Sequence, residues 1–258
     1  MQWQRFRIAA TPWLLPFGLM IIWQLSTQVG WLSSRILPAP LDIGRAFLTL
    51  SASGELWHHL GTSLLRALAG LVVGGSIGLI LGFATGTSRI AENLLDTSIQ
   101  MVRNIPHLAL TPLVILWFGI GEEAKLFLIA LGVMFPIYLN TFHGIRSVDP
   151  QLVEMGRAYG LQRWALFREV ILPGALPSIL VGVRFALGVM WLTLIVAETI
   201  AANSGIGYMA MNAREFLQTD VVVLAILIYA LLGKAADGLA KELELRWLNW
   251  HPNFQRGA

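Results

Sequence analysis

Ala67-Leu-Ala-Gly-Leu-Val-Val-Gly-Gly-Ser-Ile-Gly-Leu-Ile-Leu-Gly-Phe-Ala-Thr-Gly-Thr-Ser88 runs for 22 residues without a charged side chain. About 20 apolar residues in a helix, rising 1.5 Å each, cross the roughly 30 Å hydrocarbon core of a bilayer. The stretch therefore reads as a membrane-spanning helix. Within it Gly70, Gly74, Gly78, Gly82 and Gly86 recur at strict i, i+4 spacing. Each step turns a helix by about 400°, so the row drifts only about 40° per glycine and keeps to one broad face. Lipid offers no hydrophobic push between helices; small residues let two backbones approach and gain dispersion contacts instead. The five glycines are read as helix-packing positions, on a surface that either stays fixed or slides.

The same reading extends along the chain. Spans fall near 13–30, 67–88, 104–121, 126–145, 174–197 and 218–236. Composition agrees: 56% of the 258 residues are hydrophobic and 13% are charged, against about 25% charged in a soluble domain. Too little charge remains to coat a soluble sphere, which argues against a soluble enzyme or a disordered chain. The expected fold is all-α, a polytopic membrane protein of about six transmembrane helices forming one domain over 1–258. Arg5 and Arg7 precede the first apolar run. No small-x-small cleavage site follows it and further spans do, so it reads as a retained span. The chain has no cysteine, so disulfides and zinc thiolates are out of reach.

With the N-terminus in the cytoplasm, twelve Lys and Arg fall on the inner side, Arg89, Arg103, Arg146 and Arg157 among them, and four on the outer. The positive-inside rule then places both termini in the cytoplasm. Segment 41–60 reads as an interfacial helix on the outer surface, and 234–250 as a cytoplasmic continuation of the last helix. Pro106, Pro112, Pro136, Pro173 and Pro177 interrupt or open spans. Bent spans are tolerated beside other helices or water-lined cavities, which favours a transporter or channel over an anchor. Polar residues inside spans are candidates for a translocation path. Asn104 and His107 fall near the inner gate, Glu198 and Asn203 near the outer end of span five. Arg184 stands 11 residues past Pro173, about 16 Å along a helix and near mid-membrane. The alternative is a structural arginine that pairs with Glu198 or caps the carbonyls of a bent neighbour.

The segment 146–173, between spans four and five, is the most informative. Glu154-Met-Gly-Arg-Ala-Tyr-Gly160 is followed nine residues later by Val170-Ile-Leu-Pro173. Glu154, Met155, Ala158, Leu161 and Leu166 could share one side of a short helix that Gly160 ends. Pro173 suits the first turn of the next span. A short exposed helix between two spans is a docking element for a soluble partner.

This pattern, Glu-x5-Gly, nine residues, then aliphatic-x-Leu-Pro, resembles the EAA loop of permease subunits of bacterial ATP-binding-cassette importers. Glu154, Gly160, Val170, Leu172 and Pro173 occupy its signature positions, while Met155 and Gly156 stand where the family usually has two alanines. Asn104-Ile-Pro-His-Leu-Ala-Leu-Thr-Pro-Leu-Val-Ile-Leu-Trp-Phe-Gly119 and Glu198-Thr-Ile-Ala-Ala-Asn-Ser-Gly-Ile-Gly207 resemble the nitrate/sulfonate/taurine branch. The resemblance covers nearly the whole chain. It implies a type I importer permease fold and ATP-driven import by alternating access across the bacterial inner membrane. The cargo it implies is an aliphatic sulfonate, or else taurine, nitrate or another small oxyanion. It implies a homodimer, a periplasmic substrate-binding protein, and cytoplasmic ATPase subunits docked on Glu154, Met155, Gly156, Ala158, Gly160, Leu161, Val170, Leu172 and Pro173.

ATP and magnesium would belong to the ATPase, with no cofactor on this chain. No G-x-x-x-x-G-K-[ST] occurs here: Gly233-Lys234 is followed by Ala235. No catalytic residue, metal site or nucleic-acid contact is expected. An intramembrane enzyme would find no H-E-x-x-H or G-x-S-x-G, only His58 and His59 near Ser63. A passive channel would account for bent helices but not for the loop.

Overall fold

The computed structural model describes residues 15, 18–34 and 36–250, without the side chains of 107, 108 and 201. Arg5, Arg7, Arg35, Arg256 and the 13–14 and 16–17 parts of the first span lie outside the described residues. Among the described residues there are helices and no strand. Residues 18–28 are helical (α1). Next come α2 (Pro40–Ala52), α3 (Glu55–Thr87), α4 (Arg89–Arg103), a 3-10 turn (His107–Leu110), α5 (Thr111–Phe118) and α6 (Glu122–Arg146). They are followed by α7 (Pro150–Ala158), α8 (Arg163–Leu166), a π-turn (Phe167–Ile171), α9 (Leu172–Ala201), α10 (Ile206–Glu215) and α11 (Thr219–Trp247). Among the described residues, four helical runs are long and apolar enough to cross a membrane: Glu55–Thr87, Glu122–Arg146, Arg163–Ile200 and Thr219–Trp247.

The core is a three-helix sandwich. Helix α6 runs through its middle, with α3 along one side and α9 along the other. The glycine row of α3 lies against α6. Gly70 sits on Ile129 and Gly74 on the backbone of Ala130. A Cβ at Gly78 would stand 2.5 Å from the Met134 carbonyl, at Gly82 2.6 Å from Thr141 Cβ, and at Gly86 2.9 Å from Ile145 Cδ1. On the α9 side Gly132 meets Thr193, and Gly182 meets Asn140. Small residues thus admit the central helix from both sides, and Ile129, Val133, Ile137, Ala186, Met190 and Leu194 fill the space between.

A prediction follows at the tightest point. Gly74→Val should cost about 3 kcal/mol, the upper range for overpacking, because the obstruction is backbone that cannot change rotamer. Gly188 has nothing within 4 Å of an added Cβ. Gly188→Ala should therefore be neutral, or stabilising by up to about 1 kcal/mol from the helix propensity of alanine. Thermal unfolding of the two variants in detergent separates packing from propensity.

Several boundaries differ from the sequence reading. Helix α3 begins at Glu55, not near Ala67, because Gly54 takes the left-handed conformation (φ 80) and splits segment 41–60 between α2 and α3. The last helix does run without interruption to Trp247, the continuation expected over 234–250. The fifth run does not start at Pro173. It begins at Arg163 and passes through the π-turn, where Leu172 N–H bonds to the Phe167 carbonyl. A proline lacks the N–H and crowds the carbonyl four residues back; the wider π-turn just before Pro173 relieves both.

The largest correction concerns 104–121, which is not one helix. Pro106, the 3-10 turn and Gly119 (φ 72) leave only His107–Phe118 helical, about 20 Å and too short to span. Helix α4 supplies the missing length. After the turn at Ser88, whose Oγ accepts Ala91 N–H, α4 climbs from the Arg146 end of α6. Glu92 pairs with Arg146, and the Tyr138 hydroxyl donates to Asp96 Oδ1 at 2.9 Å. Leu110 then packs against the cluster of Val114, Ala124, Leu128 and Ala197, near the Glu122 end. Helix α4 has no buried residue, and Ile90, Leu94 and Met101 are 74%, 70% and 66% exposed. Its acids face the protein and its aliphatics face out, the arrangement that suits lipid. Mixed polarity hid it from a search for apolar runs. Arg89 and Arg103, counted together on the inner side, stand about 21 Å apart along this helix.

Candidate functional site

The loop at the Arg146 end is built from strong local signals. Asp149 Oδ1 accepts Gln151 N–H at 2.8 Å, capping α7, and Pro150 takes its first position. Gly160 adopts φ +83. Leu161 N–H bonds to the Gly156 carbonyl and Gly160 N–H to that of Arg157, both at 3.0 Å. These are the two bonds of a Schellman stop. Gly156 is the buried residue of α7. An added Cβ there would stand 2.7 Å from Leu166 and 3.3 Å from Leu161 and Val170. This explains the glycine where the family pattern usually has alanine: a methyl would push Leu166 aside.

Glu154 and Ala158 are exposed, as are Met155 (50%) and Tyr159 (81%). Leu161, Val170, Leu172 and Pro173 are half-buried. Leu166, placed by the sequence reading on the same side as Glu154, is instead buried beneath Gly156. Trp164 is 72% exposed, beside a cavity of about 940 Å³ that opens between α8 and the Phe83–Thr87 end of α3. The protruding surface combines Glu154, Met155, Tyr159 and Trp164 with the exposed Arg157 and Arg163.

At the opposite end lies a buried ionic network. His59, Ser63 and Arg66 share one face of α3. Glu198, 1% exposed, comes from the end of α9. Its carboxylate accepts from Ser63 Oγ (2.8 Å), Arg66 (2.9 Å), Gly207 N–H (2.9 Å) and the Tyr229 hydroxyl (3.0 Å). Arg66 also holds Glu122 through two bonds of 2.6 Å and donates to the Ser204 carbonyl at 2.5 Å. Lys125 completes the charge balance on Glu122 at 2.9 Å. The free N–H groups opening α10 are taken by His59 (Gly205 N–H, 3.1 Å), Ser63 (Ile206 N–H, 2.9 Å) and Glu198. A carboxylate at a helix N-terminus also complements its dipole.

Other polar positions fall elsewhere. Arg184 does not pair with Glu198, which stands 14 residues on and about 21 Å along the helix. It donates to Asp237 of α11 at 2.7 Å and approaches Glu244 at 3.6 Å. Asn203 is exposed in the turn before α10, and Asn104 is exposed at the end of α4. The side chain of His107 lies outside the described residues. The sequence reading missed Arg66 as a partner of Glu198. The signal was the 59, 63, 66 spacing, which places all three polar side chains on one helical face.

The comparisons agree with this architecture. Residues 74–249 match the family model described as binding-protein-dependent transport system inner membrane component. The chain is 67% identical to "Putative aliphatic sulfonates transport permease protein SsuC" of Escherichia coli (strain K12), over 97% of this chain and 95% of that one. It is 46% identical to the protein of the same name from Bacillus subtilis (strain 168), covering 94% and 88%. It is 36% identical to the taurine transport system permease protein TauC of Escherichia coli (strain K12), covering 92% and 88%. A crystal structure of an amino acid ABC transporter with histidines shares the fold, with a TM-score of 0.63 at 18% identity over 78% of this chain and 97% of that one. The membrane sandwich, the capped loop helix and these matches together place the chain in the family of binding-protein-dependent transport system inner membrane components, the permeases of ABC importers.

Proposed function

We propose that this chain is the transmembrane subunit of an importer that moves aliphatic sulfonates across the inner membrane, driven by a separate ATPase. The protruding face of α7, held from beneath by Gly156, carries the coupling role. The substrate rests on the identity to the sulfonate permease of Escherichia coli. In this reading the Arg146 end and both termini face the cytoplasm, where Arg157, Arg163, Arg168 and Lys241 gather. Six crossings result, the third made by α4, its break and α5 together. Two copies enclose one path, and a periplasmic binding protein meets the Glu122 end. ATP and magnesium stay with the ATPase.

The geometry suggests how force would travel. A push on α7 passes through Gly156 to Leu166 and Val170, which belong to the 38-residue run Arg163–Ile200. That run is a lever of about 57 Å, with its compliance at the π-turn and Pro173. Its far end is Glu198, fixed to α3, α6 and α10 by the Arg66 network. ATPase closure can shift the inward–outward balance only by its differential affinity for the two states. The test is ATP-dependent uptake of ethanesulfonate into vesicles holding the permease, its ATPase and its binding protein. Accumulation against a gradient is expected. Equilibration without ATP would favour a passive channel, and uptake of nitrate alone would overturn the sulfonate.

A further inference from the structure

Helix α4 has three faces, and one of them is unclaimed. Glu92 and Asp96 bind α6, and Ile90, Leu94 and Met101 face outward. Between them Asn93, Thr97, Gln100 and Asn104 recur at i, i+4, i+7 and i+11, one stripe on a helix. Asn93, Thr97 and Asn104 are exposed, and so is Arg103 at the edge of the stripe. Among the described residues, no hydrogen bond or ion pair engages these four side chains. Asp96, two turns below Arg103, is already taken by Tyr138 and Gln100.

Height matters here. Arg103 stands about 21 Å along α4 from Arg89 and precedes the turn whose Leu110 packs on the Val114, Ala124, Leu128 and Ala197 cluster. That puts a free guanidinium near the middle of the crossing. A charge there is costly unless it faces water or a partner charge.

We propose that Arg103, with Asn104, Thr97 and Asn93, forms the strip of the path that receives the oxyanion. Every group in it can donate a hydrogen bond, and it carries no free acid. A sulfonate has three acceptor oxygens, one negative charge and no donor, so guanidinium, amide and hydroxyl groups match it in sequence along a climb of about 16 Å. The proposal rests on the importer reading above.

The assay is the reconstituted transporter with its ATPase and binding protein, with ethanesulfonate as probe. Arg103→Gln should cut uptake at least tenfold with ATPase binding and dimer unchanged, and Arg103→Lys should keep a measurable part. Because the chain has no cysteine, Thr97→Cys and Asn93→Cys each give the permease a single thiol, whose labelling by a membrane-impermeant thiosulfonate reagent that bears a sulfonate is read on the isolated permease. Labelling that ethanesulfonate slows is expected there and not at Leu94→Cys. Unchanged uptake by Arg103→Gln, or equal labelling at Thr97→Cys and Leu94→Cys, overturns the strip. Loss of the dimer in Arg103→Gln also overturns it and assigns Arg103 to the contact between copies. A wild-type transporter that ignores sulfonates but carries nitrate in an Arg103-dependent way removes the sulfonate and leaves the strip standing.

Discussion

Arg66→Gln is expected to destabilise the fold by about 3–5 kcal/mol, the cost of breaking a buried ion pair from one side. The guanidinium is 7% exposed and joins Glu122, Glu198 and Ser204, three contacts from three segments. A neutral amide at the end of a shorter side chain cannot reach all three. It leaves Glu198 buried with its charge uncompensated, and that desolvation is the larger part of the loss. Arg66→Lys should be milder, since it keeps the charge, but a single ammonium cannot reproduce the two-pronged hold on Glu122. Glu198→Gln tests the other side. Its shape is nearly unchanged, yet the carboxylate now accepts from four partners, all of them donors. An amide would turn two N–H groups toward those donors. Its cost should match that of Arg66→Gln. At about 2–4 °C per kcal/mol for a domain of this size, both should lower the midpoint in detergent by roughly 6–20 °C. Shifts under 2 °C in both would show that the network is not what holds this end together.

The same network fixes the turn that precedes α10. Gly205, at φ +111, sits so close to the Glu198 carboxylate that a side chain there would strike it. The turn 202–205 and the first N–H groups of α10 are therefore packed and hydrogen-bonded against the Glu198 carboxylate. Destabilising the network should loosen the end of the lever that the binding protein is proposed to meet.

Parts of this were legible in the sequence because their physics is local. An uncharged run with glycines every fourth residue needs no tertiary knowledge to be read as a packed span. Gly160 and Asp149 announce the ends of α7 by their own conformational preferences. The family of the chain could be read from Glu154, Gly160 and Pro173. What was hidden depended on neighbours. Helix α4 looks like a polar loop until Arg146 and Tyr138 are seen to take its acids. Arg184 and Glu198 lie on one helix but about 21 Å apart, and each finds its partner on another helix, Asp237 and Arg66. Leu166 faces inward because Gly156 leaves it a space, which residue spacing alone does not report.

Glu154→Lys is expected to abolish uptake, to below a tenth of the wild type, while leaving the fold intact. The side chain is exposed on α7, with no role in the Schellman stop or the packing under Gly156. Reversing its charge should therefore not unfold the loop, and the melting midpoint should move by little, as surface changes usually do. Its effect falls on the partner. A lysine set against a cation that pairs with Glu154 costs several kcal/mol, so the ATPase should no longer co-purify. Gly160→Val provides the contrast. It alters no charge but forces a β-branched residue to φ +83, strained by roughly 1–3 kcal/mol, and should free the C-terminal turn of α7 from Leu161. If both variants lose the ATPase, charge and shape of the loop are read together. If Glu154→Lys retains the ATPase at wild-type levels while Gly160→Val does not, docking depends on the position of α7 and the carboxylate is no part of it. Retention by both would move the coupling surface away from this loop and leave the lever from Gly156 to Glu198 without its input.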